Sequence, residues 1–165
     1  MKIRHCFTMA VALLLLVASL ATAEDKKKDD KNDACSNPNP ASLCTADNTC
    51  GSASSPCSLD VKRTAYSSSV TPSIPKAKGN DLFCIKTGTS VTWMSSSKNI
   101  GFLIDFGASD PFDPPGTIRG GADKPVTVVA KNPGCVNYHA SATAQGGIYG
   151  MSKSVKTEFI VIPAQ

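Results

Sequence analysis

Three residues near the C-terminus have the types and order to hold a copper ion. Cys135, His139 and Met151 offer a thiolate, an imidazole and a thioether in succession. Soft sulfur together with imidazole selects copper, and a trigonal site of this kind takes two imidazoles, one thiolate and a weak axial group. The chain contains 2 histidines, and His5 falls in a leading segment expected to be cleaved. One imidazole then remains where two are needed. The expectation is an incomplete site and no cofactor; the alternative is copper held by Cys135, His139 and Met151.

Other chemistry is thinner. Asp105, Asp110 and Asp113 flank a Pro-rich stretch but do not follow the D-x-D-x-D-G calcium-loop pattern, so they read as an exposed acidic loop. Met94 reads as packing and Trp93 as a core aromatic. No H-E-x-x-H or G-x-S-x-G occurs, and Gly120-Gly121 belongs to no phosphate loop, so no enzyme is expected. Basic residues are scattered with no aromatic-plus-basic ladder, so nucleic acid is not an expected partner.

These residues must be positioned by an exported chain. Lys2 and Arg4, an apolar run from Met9 to Leu20 and then Ala21-Thr22-Ala23 form the pattern of a secretory signal peptide over residues 1–23. The run is shorter than the roughly 20 residues that span a bilayer, so no stable membrane anchor is expected after cleavage. The protein is expected to be secreted or periplasmic, with a partner among envelope or extracellular proteins or ligands. Without Lys2 and Arg4 the chain keeps 15 basic against 13 acidic residues, a balance that favours no class of partner.

Residues 24–33 mix both charges with nothing apolar to bury and read as a flexible linker. Six cysteines follow the signal segment: Cys35, Cys44, Cys50, Cys57, Cys84 and Cys135. An even number in an exported chain reads as three disulfides. The first four lack the close C-x2-C pairs of zinc modules. They fall in residues 34–58, which are rich in Ser, Asn, Ala and Pro, with Leu43 the one large apolar side chain. Such a segment has no core, so it reads as a small disulfide-tied cap whose pairing sequence leaves open among three possibilities. A protease-inhibitor-like loop within residues 35–57 is a further reading.

From residue 59 onward, short apolar or alternating segments are separated by Gly, Pro, Ser and Asn. Strands are expected at 59–66, 81–86, 90–94, 101–106, 125–131, 134–140 and 155–163. The last is amphipathic in its first half and apolar on both faces at its end. The expected fold is all-β, an antiparallel Greek-key sandwich over residues 59–165 preceded by the irregular disulfide-rich segment.

Gly88-Thr89-Ser90-Val91-Thr92-Trp93 resembles the G-x-x-V-x-W strand that precedes the first histidine ligand in cupredoxins, the plastocyanin- and azurin-related family. Asn99-Ile100-Gly101-Phe102 falls where that ligand would stand, without a histidine. Gly134-Cys135-Val136-Asn137-Tyr138-His139, then Gly150-Met151, resembles the family's Cys, His, Met loop. The resemblance covers roughly residues 59–165. It implies a cupredoxin-like sandwich that has lost its copper site and works as an exported binding or structural module, with contact loops at 95–99 and 108–121. The Cys, Trp, Cys order of Cys84, Trp93 and Cys135 also suits an immunoglobulin-like sandwich. On either plan a bridge between Cys84 and Cys135 is expected, and closing a loop of about 50 residues would contribute on the order of 4 kcal/mol. A bridged Cys135 is no thiolate ligand.

Overall fold

The computed structural model describes residues 33–52, 54–151 and 157–164. The signal segment, nearly all of the linker and the beginning of the last expected strand lie outside the described residues. Within them the chain is all-β, with two short 3-10 turns, Pro40–Leu43 and Ala46–Asn48, and twelve strands. The strands are β1 (Cys57–Arg63), β2 (Ser68–Pro72), β3 (Phe83–Lys86), β4 (Ser90–Met94), β5 (Gly101–Asp105) and β6 (Phe112–Asp113). After them come β7 (Ile118–Gly121), β8 (Val126–Ala130), β9 (Gly134–Asn137), β10 (His139–Ala144), β11 (Gly147–Gly150) and β12 (Glu158–Ile162).

Three hydrogen-bonded sheets result, ordered β2-β1-β4-β8-β6, β11-β10-β5-β7 and β3-β12-β9. Strand alternation supplies the core. Leu59 and Val61 of β1, Val91 and Trp93 of β4, and Val128 and Ala130 of β8 point inward. Trp93 sits among Phe106, Phe112 and Tyr138, edge-on at 5.9, 6.3 and 6.1 Å between ring centroids. Phe159 of β12 stacks on Phe83 at 5.3 Å. One polar tie crosses the core: Ser68 Oγ of β2 donates to the Ala140 carbonyl of β10 at 2.7 Å.

Two pairings correct the purely antiparallel expectation. β1 runs parallel to β4, and β3 runs parallel to β12. Each parallel pair joins strands distant in sequence, as a crossover connection requires. The expected strand at 134–140 is broken at Tyr138: β9 pairs with β12, while β10 pairs with β5 in a different sheet. At the break the Tyr138 N–H donates to the Thr157 carbonyl at 3.1 Å, and the Thr157 hydroxyl donates back to the Tyr138 carbonyl.

Strands β2, β6, β7 and β11 were not expected. β7 contains Gly120-Gly121, which reads as a turn. A Cβ at Gly120 would lie 2.5 Å from both the Lys124 carbonyl oxygen and Cζ of Phe102, so this glycine permits a close approach inside a strand.

The cap is fastened to the β domain. Cys35 bonds Cys135 and Cys44 bonds Cys84, with Cα separations of 5.2 and 5.8 Å. Only Cys50–Cys57 is internal to the N-terminal set. The expected Cys84–Cys135 bridge is corrected by strand register. Both residues lie opposite Ile160, Cys84 from β3 on one side of β12 and Cys135 from β9 on the other. Two strand spacings put their Cα atoms about 9–10 Å apart, beyond disulfide reach. They flank Ile160 on one face, and the cap lies over that face. Ala34, Leu43 and Cys44 meet Cys84, Ile160 and Cys135 in a second, small apolar cluster.

Candidate functional site

The residues that could have held copper do not converge. Cys135 shares its sulfur with Cys35 and is not a thiolate. His139 is exposed at the start of β10, directly opposite Asp105. Met151 packs against the main core, and its sulfur accepts the Ala140 N–H at 3.4 Å. Asn99, at the expected first-ligand position, precedes β5 with φ 61°. In the β5–β10 register Gly101 stands opposite Thr143 and Asp105 opposite His139. At about 3.4 Å per residue, the Asn99 end therefore lies roughly 14 Å along the strand from His139. Among the described residues no three His, Cys, Asp or Glu side chains come together as a metal site.

The acidic loop is committed to turn formation. Asp105 Oδ1 accepts the Gly107 N–H at 3.1 Å, and Asp110 Oδ1 accepts that of Phe112 at 3.0 Å while its other oxygen accepts that of Gly116. Asp113 faces Lys131 Nζ at 3.4 Å. Asp105 and Asp110 thus serve the backbone near them, as Asx turns do, while Asp113 pairs with a side chain.

The two expected contact loops are separated. Segment 108–116 lies by Asp105 and β6, at the opposite end of β5 from loop 95–99. Only the end of β7 reaches the Asn99 side. There Asn99, Gly101, Arg119, Gly121 and Lys124 line an open cleft of about 400 Å³. Its walls are tied together: the Ala122 N–H donates to the Ile100 carbonyl at 3.0 Å, and the Gly121 N–H to that of Lys124 at 3.0 Å. Loop 95–99 is anchored from β1, where Asp60 accepts the Ser96 N–H at 2.9 Å and its hydroxyl at 2.6 Å, with Lys62 at 3.1 Å. Partial burial pushes the Asp60 carboxyl up, but the Ser96 hydrogen bonds and Lys62 outweigh it and leave it below the usual carboxylate range.

Sequence reasoning missed Asp60, whose hydrogen-bond partner Ser96 lies 36 residues away along the chain. It also missed a larger cleft, about 660 Å³, where Cys44, Thr45, Thr49 and Ser52 of the cap face Lys86 and Ile162. Its cap wall is tied to β3 by the Cys44–Cys84 disulfide and by the Cys50 N–H, which donates to the Cys84 carbonyl at 2.8 Å. Within residues 35–57, the Ser52 N–H donates to the Ser55 carbonyl at 2.7 Å, and the Ser55 N–H donates to the Ser52 carbonyl at 3.3 Å. Ala53 lies outside the described residues.

Several buried polar atoms lack hydrogen-bond partners, among them Trp93 Nε1, the Tyr138 hydroxyl and Glu158 Oε1. Burial pushes the Tyr138 phenol well above its ordinary pKa. Glu158 is 6% exposed, on the strand face that meets the cap, and its other oxygen accepts the Ala34 N–H at 2.8 Å. In sequence it reads as an ordinary polar residue on an outer face. No family model and no curated protein matches this chain.

Proposed function

We propose that the protein is an exported, non-catalytic binding or structural module, built on a cupredoxin-like Greek-key plan from which the copper site has been lost. The observation that carries this reading is the fate of Cys135. Its sulfur is bonded to Cys35, in a row of side chains that anchors the cap. The residue that a copper protein would use as its thiolate here serves as a staple, and the position of the first imidazole is held by Asn99, far along β5 from His139. Three disulfides fit an oxidising compartment, and the signal pattern of residues 1–23 gives the route there. Among the described residues no helix is long and apolar enough to cross a membrane.

The contact surface we favour is the cleft between Asn99 and Lys124. A binding loop gains from a rigid scaffold, and this one is held by the Ile100–Ala122 and Asp60–Ser96 hydrogen bonds. The test is a free-thiol count on the unfolded, unreduced mature protein, with peptide mapping of the crosslink at Cys135, followed by copper titration of the folded protein. A Cys35–Cys135 peptide, no free thiol and no tight copper binding are expected. A free thiol at Cys135 with a stoichiometric copper adduct would overturn the reading.

A further inference from the structure

The turn that joins β7 to β8 places two cations beside a floor of glycine. Arg119 and Gly121 lie two positions apart on β7 and share its outer face, opposite to the buried Ile118. Across the turn Gly121 stands opposite Lys124, and their backbones exchange hydrogen bonds at 3.0 and 3.2 Å, so Lys124 belongs to the same face. Arg119 and Lys124 are therefore diagonal neighbours, about 7–8 Å apart at Cα and able to reach a common point with long side chains. Gly101 of β5 is directly opposite Gly121. Neither glycine has a side chain to fill the cleft floor, and packing keeps both small: a Cβ on Gly121 would lie 3.1 Å from the Ile100 carbonyl oxygen, and one on Gly101 would run into Thr143 Oγ1. Asn99 brings a neutral amide to the same cleft.

The charges of this cleft are not matched within it. Lys62 and Lys131 each have an aspartate partner, but among the described residues neither Arg119 nor Lys124 is in an ion pair. Asp123, in the turn, is the one acid lining the cleft, and it touches neither cation. Met151, after which the described chain is interrupted, packs by Ala140, three residues along the β5–β10 pair from the Gly101 end.

We propose that the cleft is an oxyanion site, in which Arg119 and Lys124 hold a phosphate or sulfate group of a ligand between them over Gly101 and Gly121. This rests on the reading of the cleft as the contact surface of a binding module and names the ligand class it takes. The guanidinium presents parallel donors that match two oxygens of such a group, and the ammonium adds a compact second charge. Two cations suit a dianion, whereas a carboxylate would leave one of them unmatched. The bare floor lets the group approach the backbone closely. Asp123 opposes it, so the free ion should bind weakly and the rest of the ligand must add to it.

The probes are inorganic phosphate, sulfate and acetate, titrated into the mature, disulfide-intact protein at neutral pH and fixed ionic strength and followed by backbone amide resonances. Phosphate and sulfate should shift the Gly101, Gly121 and Ala122 amides saturably in the millimolar range, and acetate should bind more weakly. Whichever dianion binds tighter identifies a phosphorylated or a sulfated ligand. Arg119→Gln and Lys124→Gln should each weaken binding about two- to fivefold, and Asp123→Asn should strengthen it by a similar factor. All three side chains are exposed, so the fold should survive each change. Lys131→Gln makes the same change of charge at the other end of the domain and should leave binding unaltered. The proposal is overturned if no saturable shift occurs, if acetate binds as tightly as the dianions, or if Lys131→Gln weakens binding as much as Arg119→Gln, which would mean general attraction to a cationic protein. Failure of anion binding with Cys35–Cys135 intact and no copper bound would remove the ligand class alone; a copper adduct at Cys135 would remove the module reading whatever the anions do.

Discussion

The two apolar clusters of this molecule differ in how they are held. The larger is centred on Trp93 and is an aromatic core: Phe106, Phe112, Tyr138 and Phe159 contact one another through ring edges and stacks. The smaller is centred on Ile160 and contains few large side chains, among them Leu43, Leu82 and Ile162. It is flanked by two disulfides. Burial organises the first. The second buries too little to order some twenty cap residues, and its crosslinks limit the alternatives open to the unfolded chain. A β domain of this size can rely on its core, whereas a segment such as 33–50 cannot.

Substitution in the aromatic core should have the largest effect. Trp93→Ala removes a side chain with no exposed surface and should destabilise the β domain by about 3–5 kcal/mol, read as a fall in the urea midpoint. Opening the cap should act locally. Replacing both Cys35 and Cys135 by Ala removes a crosslink that spans 100 residues and should cost about 2–4 kcal/mol. The cap should become sensitive to limited proteolysis while the near-ultraviolet signal of Trp93 persists. Joint loss of the cap and that signal would show that the two regions form one cooperative unit, and the comparison would fail. Ile160→Val is the milder probe: about 0.5–1.5 kcal/mol, with faster exchange at Ala34 ahead of any change at Trp93.

The difference between the two regions also sets what could be read from sequence. The strands of the β domain carry period-2 alternation, and 90–94 matches β4 residue for residue. The two-sided apolar end of β12 was visible as well, and it reports the cap: Phe159 and Val161 face the main core while Ile160 faces the smaller cluster. What covers that second face was not visible. The cysteines of a cap can reach any strand, and only the register that places Cys84 and Cys135 on either side of Ile160 excludes their joining each other. β2 and β11 were missed because each offers only one or two large apolar residues, Val70 in one and Ile148 with Tyr149 in the other. The copper-like order of Cys135, His139 and Met151 misled for a related reason. Linear order says nothing of the break at Tyr138, which sends Cys135 into one sheet and His139 into another.

The smallest effect expected is a difference of sign. Asp60 anchors loop 95–99 through two hydrogen bonds from Ser96, and these with Lys62 hold its carboxyl below the ordinary range against the effect of burial. Its contribution is present above the usual carboxyl range and is lost as pH falls through the lowered value. Burial displaces Glu158 in the other direction, so acid should loosen loop 95–99 while leaving the cap docked, and rising pH should do the reverse. Asp60 is partly exposed, so the anchor is modest: Asp60→Asn should cost about 1 kcal/mol at neutral pH and remove the acid sensitivity of exchange at Ser96. If the amides of Ser96 and Ala34 instead gained and lost protection together across the pH range, the two carboxyls would be reporting a single global opening, and the cap and the cleft end of the domain would not be separable.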